Sequence, residues 1–262
     1  MTYLFLATFF VFGLLIGSFL NVVISRFNAS RIITGRSMCM SCQHGLCWYE
    51  LIPLFSFLAL GGRCRVCQSR ISKMYPVVEL LTGVLFTLLF YKFQTLFFLD
   101  LLQFSISYVF YSVILSILVV IAFYDFRHKI IPDQLSLSLA ILSFISLFLF
   151  SNHVLNIHLP TLAELSSGFV IALPFFLFWL ISRGAWMGFG DAKLAVGLGW
   201  FLGLSKGLAG LVISFWLGAI ISIILIVFTK KYHMKSEIPF APFLVLGTLI
   251  AFFLKLNIFP VF

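Results

Sequence analysis

Only eight carboxylates occur in 262 residues: Glu50, Glu79, Asp100, Asp125, Asp133, Glu164, Asp191 and Glu237. Their scarcity makes position informative, because a charge at membrane depth is costly and usually functional, whereas an acid in a loop is simply solvated. Asp125 and Asp191 stand at the ends of long apolar runs and are level with one another if those runs cross a bilayer. Two carboxylates held within a few ångströms cannot both ionise easily, so they share a proton. One can then take a proton from a water attacking a peptide carbonyl, while the other donates to the carbonyl oxygen or the leaving nitrogen. Such a pair has the chemistry of an aspartic peptidase. Gly188-Phe189-Gly190 precedes Asp191 and permits a tight turn and close backbone approach where a helix starts. Helix capping would explain Asp191 alone, but not a second aspartate at equal depth. Lys193 could face the same polar pocket.

The other acids have simpler readings. Asp133 follows Ile131-Pro132 and rivals Asp125, but its position suits a cap on the next helix. Asp100 and Glu164 fall at the opposite ends of apolar runs and read as caps or solvated groups, and Glu50 and Glu237 lie in polar loops. Glu79 begins an apolar run just after Tyr75-Pro76, where an unpaired carboxylate is unfavourable, so a basic partner from the preceding polar segment is expected. His128 either biases a nearby carboxylate or is solvated, and the second reading is favoured.

Four of the five cysteines form Cys39-Met-Ser-Cys42 and Cys64-Arg-Val-Cys67. Each CxxC turn puts two sulfurs on one side of a tight knuckle, and two knuckles complete a tetrahedral thiolate site for zinc. Arg63 and Arg65 would offset the negative charge of four thiolates. Four protein ligands leave no open position, so the zinc is structural. Two disulfides, or free buried thiols, are the alternative; Cys47 and His44 are possible substitute ligands, though Cys47 reads as a spare thiol.

The elements that must position these groups follow from composition: 62% of residues are hydrophobic and 10% charged, against about 25% charged in soluble domains. Apolar runs near the ~20 residues a spanning helix needs recur throughout. The expected fold is an all-α polytopic membrane protein of about eight transmembrane helices. The expected spans are Tyr3–Ser25, Pro76–Tyr91, Asp100–Tyr124, Gln134–Asn152, Leu162–Ser182, Asp191–Leu204, Lys206–Phe228 and Pro239–Leu256. The first run has no small-residue cleavage site and reads as a retained span, not a signal peptide. The sixth is short and carries Gly197, Gly199 and Gly203, which predicts close helix contacts or an incomplete crossing. With the N-terminus outside, the outer loops keep only Lys92, Lys206 and Lys255 of the 17 basic residues. That asymmetry fixes the orientation and explains the formal charge of +9 without a nucleic-acid partner. The expected organisation is a first transmembrane helix (1–25), a small cytoplasmic cysteine/zinc subdomain (26–75) and a membrane-embedded peptidase domain (76–262).

These residues resemble one family. Gly17-Ser18-Phe19-Leu20-Asn21-Val22, the paired cysteines, Tyr75-Pro76-Val77-Val78-Glu79, Asp125 with Ile131-Pro132-Asp133, Gly188-Phe189-Gly190-Asp191-Ala192-Lys193 and Ile238-Pro239-Phe240 are similar to the motifs of bacterial type IV prepilin peptidases, also called leader peptidase/N-methyltransferases. The resemblance covers nearly the whole chain; a GxGD motif alone would be weak. It implies that Asp125 and Asp191 are catalytic and that Gly188, Gly190, Lys193, Glu79 and Asp133 support the site. It also implies that the substrates are prepilins or pseudopilins cut at the cytoplasmic face of the bacterial inner membrane. A second reaction is implied, methylation of the new N-terminal residue with S-adenosylmethionine. Departures from the family pattern are Leu51 where asparagine is common, Met74 where a basic residue is frequent, and Ala241 where glycine is usual. An intramembrane protease of unrelated helices would not need the cysteine loop, and a transporter would place acids near mid-membrane in a repeated half.

Overall fold

A computed structural model describes residues 2–27, 37–151, 153–185, 187–228 and 238–254. Arg31, Arg36, Lys230, Lys231, Lys235 and Lys255, counted among the basic residues of the loop-charge argument, and the loop acid Glu237 lie outside the described residues. The chain divides into two compact units, Met1–Val120 and Ile121–Phe262.

The first unit holds α1 (Thr2–Arg26), a 3₁₀ turn (Trp48–Leu51), the short α2 (Phe55–Ala59), α3 (Met74–Leu99) and most of α4 (Leu101–His128). Helix is the natural state of such runs, since lipid offers backbone groups no hydrogen bonds and each segment must satisfy its own. Helix α3 continues past the expected Tyr91 because Lys92 and Gln94 do not interrupt its packing face: Phe90 and Phe93 are both buried. Helices α1 and α3 lie close together, and glycine makes this possible. A Cβ on Gly17 would stand 2.7 Å from Glu79 Cα, and one on Gly13 would stand 2.8 Å from Gly83 Cα. Small residues four apart let two backbones approach where lipid provides no hydrophobic drive of its own. Asn21 then donates from Nδ2 to the Tyr75 carbonyl at 3.0 Å.

The second unit holds the end of α4, then α5 (Asp133–Leu149) and a hairpin of β1 (Phe150–Ser151) and β2 (Val154–Leu155). Helices α6 (Leu162–Ser182), α7 (Phe189–Leu202), α8 (Leu204–Phe228) and α9 (Ala241–Leu254) complete it. Among the described residues, five helices are long and apolar enough to cross a membrane: α1, α3, α4, α6 and α8. At 17, 14 and 14 residues, α5, α7 and α9 are shorter than the ~20 residues of a full crossing. Gly197 and Gly199 serve close contact, as expected, whereas Gly203 has open space around it and ends α7 at φ 74°. A Cβ on Gly197 would meet Leu139 Cγ of α5 at 3.1 Å, and one on Gly199 would meet Gly168 Cα of α6 at 2.7 Å. Ser167 of α6 donates to the Gly199 carbonyl at 3.0 Å, and Trp200 Nε1 to that of Leu165 at 3.0 Å. So α7 is wedged between α5 and α6 along its second half.

Two acids expected to cap do so. Asp100 Oδ1 accepts from the amides of Leu102 at 3.0 Å and Gln103 at 3.1 Å, opening α4. Glu164 and Thr161 form a reciprocal capping box at the start of α6, with the Thr161 amide 2.7 Å from Glu164 Oε2.

Candidate active site and metal centre

Helix α4 runs four residues past the expected end at Tyr124, which sets Asp125 in its last turn, only 5% exposed. Asp191 occupies the first turn of α7 and is 9% exposed. The two are near enough that the charge of Asp125 acts on Asp191. Gly188 precedes α7 in extended conformation (φ −72°, ψ 149°), and its carbonyl accepts the Asp191 amide at 3.3 Å. Gly190 makes room for the neighbouring loop: a Cβ there would stand 3.2 Å from Ile131 Cβ. The turn before Asp191 and the Ile131-Pro132 loop after Asp125 are therefore in contact.

A partner that the sequence does not signal directly is a backbone amide. Ala241 N–H, the first residue of α9, donates to Asp125 Oδ2 at 3.2 Å, and Ala241 is fully buried. Phe240 supplies the carbonyl that starts α9, accepting from Phe243 at 3.0 Å. Both carboxylates thus meet the N-terminal turn of a short helix, where unpaired amides and the helix dipole favour negative charge. The only sequence hint was the Pro239-Phe240 break before an apolar run.

Asp133 and Lys193 differ from expectation. Pro132 is the residue that precedes α5, Asp133 is the first residue of the helix, and no side-chain cap forms there. The Asp133 carboxylate instead accepts from Lys193 Nζ at 2.7 Å, and Lys193 also lies 5.1 Å from the centre of the Phe189 ring. Capping lost to this pairing because a lysine two residues beyond Asp191 reaches outward across the loop contact. With side chains 39% and 73% exposed, the pair is an outer brace, worth at most about 1 kcal/mol.

Glu79 also departs from expectation. Among the described residues its partner is the Leu54 amide, which donates to Oε2 at 2.9 Å, in place of a basic side chain. Asn21 and Ser18 of α1 complete its polar surroundings. The Gly17 and Tyr75 motifs consequently meet around one buried carboxylate, which ties the polar segment to α3.

The cysteines assemble as predicted. The four sulfurs of Cys39, Cys42, Cys64 and Cys67 lie within 4.8 Å of one another, with Cys39 and Cys67 at 3.8 Å. A Zn–S distance of ~2.3 Å gives a tetrahedral edge of about 3.8 Å, so the cluster fits zinc. The two knuckles repeat each other: Gln43 N–H donates to the Cys39 carbonyl at 2.9 Å, and Gln68 N–H to the Cys64 carbonyl at 3.0 Å. Gln43 and Gln68 both have φ 57°. This short duplication is invisible to a search for longer repeats. The amides of Cys42 and Ser41 draw the Cys39 thiol down to about 6. The His44 amide also lowers Cys42, but burial and the thiols of Cys67, Cys39 and Cys64 outweigh it and push Cys42 up to about 11. Four thiols this close cannot all carry charge unless a cation screens them. Cys47 is outside the cluster, and its amide donates to Glu50 at 2.8 Å.

Comparison with known proteins adds two matched regions. Residues 11–93 match the bacterial peptidase A24 N-terminal domain, and residues 112–223 match the type IV leader peptidase family. Several prepilin leader peptidase/N-methyltransferases are similar along most of the chain. That of Myxococcus xanthus is 34% identical, covering 89% of this chain and 67% of that protein. The Aeromonas hydrophila protein is 31% identical, covering 95% and 90%. The Bacillus subtilis protein is 31% identical, covering 94% and 93%. No solved structure matches the chain.

Proposed function

This chain belongs to the prepilin leader peptidase/N-methyltransferase family, and from that premise we propose how its own residues carry out the family's work. It is a multi-pass inner-membrane enzyme that removes the leader of type IV prepilins and methylates the new N-terminus. Asp125 and Asp191 are the catalytic pair. The observation that carries this assignment is their joint burial from two helices, α4 and α7, with the loop after Asp125 in contact with the turn before Asp191. One carboxylate is the base that takes a proton from the attacking water, and the other protonates the leaving amide nitrogen. The Ala241 amide orients Asp125, while Gly188, Gly190 and the outer Lys193–Asp133 brace set the entry of α7 and with it Asp191.

The site is assigned to the cytoplasmic face on the distribution of basic residues. There it meets the basic leader of a prepilin or pseudopilin whose apolar helix is still in lipid. Helices α5, α7 and α9 join the five long helices in an eight-helix arrangement, with 26–75 as a zinc subdomain and 76–262 as the peptidase domain. Cys39, Cys42, Cys64 and Cys67 hold a structural zinc, which fixes the fold of that loop. S-adenosylmethionine supplies the methyl group for the second reaction.

The test presents purified protein in lipid with a basic-leader prepilin, with and without S-adenosylmethionine, and follows product mass. Separate Asp125→Ala and Asp191→Ala variants are expected to lose cleavage, and full cutting by either would remove the pair. A gain of one methyl mass only with the donor present establishes the second reaction.

A further inference from the structure

The segment Trp48–Ala59, Trp-Tyr-Glu-Leu-Ile-Pro-Leu-Phe-Ser-Phe-Leu-Ala, is apolar at every position but Glu50 and Ser56, yet none of its residues is buried. Trp48 is 77% exposed, Phe55 66% and Leu58 75%, with Leu51 and Ile52 also open. The segment is a 3₁₀ turn followed by α2, divided at Pro53, and these five side chains are spread along both parts. A run of exposed apolar side chains of this density marks an interaction surface.

Its position identifies what covers it. The Leu54 amide at the centre of the segment is hydrogen-bonded to Glu79, the sixth residue of α3. At 1.5 Å per residue, that anchor lies about 7–8 Å along a spanning helix from its first residue. With the first residue of α3 at the membrane surface, this matches the depth at which interfacial helices sit, about 5–10 Å into the boundary between headgroups and acyl chains. Leu54 holds φ 59° there, an unusual value for a leucine, so the hydrogen bond fixes a definite turn. Beyond the stripe, Arg63, Arg65, Arg70 and Lys73 are exposed, and Arg65 lies over the Tyr49 ring and donates to its hydroxyl. Glu50 is the sole acid between Arg26 and Tyr75. Aromatic and aliphatic side chains at headgroup depth, bordered by arginine and lysine, are complementary to an anionic lipid surface.

We propose that Trp48–Ala59 is an interfacial anchor. Its apolar stripe inserts into the leaflet at the N-terminal end of α3, while the neighbouring basic residues meet anionic headgroups. The zinc knuckles on either side of the segment are thereby held against the membrane surface. The inference requires that α1 and α3 span the bilayer with the start of α3 at its surface, and it stands apart from the assignment of the aspartates.

The test compares the full chain with its Trp48→Phe variant in nanodiscs of phosphatidylglycerol and phosphatidylcholine. Some discs carry lipid brominated near the headgroup end of the acyl chains, and others lipid brominated near the chain terminus. The difference in emission between the two proteins reports Trp48. It is expected to be largely lost with shallow bromine, less affected by deep bromine, and little affected by aqueous iodide. Quenching by iodide alone would overturn the proposal by placing the segment in water. Protection from both quenchers would also overturn it, by placing the segment against protein, whether a second copy or the substrate. Equal iodide access in discs with and without phosphatidylglycerol would remove the anionic-headgroup part.

Discussion

Asp125→Asn separates the chemistry of Asp125 from its structural contact. The asparagine side-chain oxygen can still accept from the Ala241 amide, which donates at 3.2 Å in a fully buried position. The start of α9 should therefore be retained, whereas the variant can no longer exchange a proton with Asp191. Loss of a positioned acid–base group costs typically 10²–10⁴-fold in rate, or about 2.7–5.5 kcal/mol of barrier at ~1.36 kcal/mol per tenfold. Asp125→Ala should lose the same activity and, in addition, leave the amide without an acceptor, at about 1–3 kcal/mol of stability. For domains of comparable length, that lowers the unfolding midpoint by about 2–4 °C per kcal/mol. The assay pairs single-turnover leader cleavage, followed by mass, with thermal unfolding in the same lipid. Cleavage by Asp125→Asn within tenfold of the parent would refute a catalytic role for this carboxylate. Equal midpoints for the two variants would refute the contribution of the amide contact.

Other outcomes follow from the same geometry. Metal analysis should find about one zinc per chain, as four thiolates predict; Cys42→Ser should reduce it and expose residues 37–73 to protease, and an unchanged zinc content would contradict the site. Gly199→Val pushes a side chain against the α6 backbone, 2.7 Å from Gly168 Cα. Overpacking of this kind costs about 1–3 kcal/mol and should slow cleavage by moving α7, so a variant unaffected in both midpoint and rate would show that α7 is not wedged. A double-mutant cycle of Lys193→Met with Asp133→Asn should give a coupling of only ~0.2–1 kcal/mol, because the pair is exposed. A coupling of several kcal/mol would mean that this brace is buried in the working enzyme.

Asp125, Asp191 and the four cysteines could be singled out from the sequence because each choice was local, and the fold buries the two aspartates and gathers the four sulfurs. Acids are rare enough here to be weighed singly, and a CxxC turn carries its own geometry. What escaped were partners far apart in the chain. Ala241 is 116 residues from Asp125 and contributes only a backbone group, which no side-chain pattern encodes. Glu79 was expected to meet a base, on the argument that a buried charge needs an opposite charge. The fold satisfies it with the Leu54 amide and the side chains of α1, which requires knowing that Gly17 brings α1 against α3. Asp133 had the local features of a cap, and the reach of Lys193 across a loop contact decided otherwise. The helices were found more easily than their ends, because apolar periodicity does not state where a helix stops; among the described residues, five of the eight expected spans are long enough to cross a membrane. Gly197 and Gly199 correctly announced close contact but could not name α5 and α6 as the neighbours.

The amide of Ala241 has a consequence for genetic screens of this enzyme. A hydrogen bond given by the main chain is supplied equally by alanine, glycine or any other residue that fits, so neither alanine scanning nor the comparison of natural variants registers it. Glycine would preserve the donor unchanged. Proline alone among the coded residues lacks the N–H, and the first position of a helix is where proline is best tolerated. In a saturation library, position 241 should therefore be permissive toward small residues, with a single sharp gap at proline. That gap would be the genetic trace of a contact that the rest of the alphabet conceals.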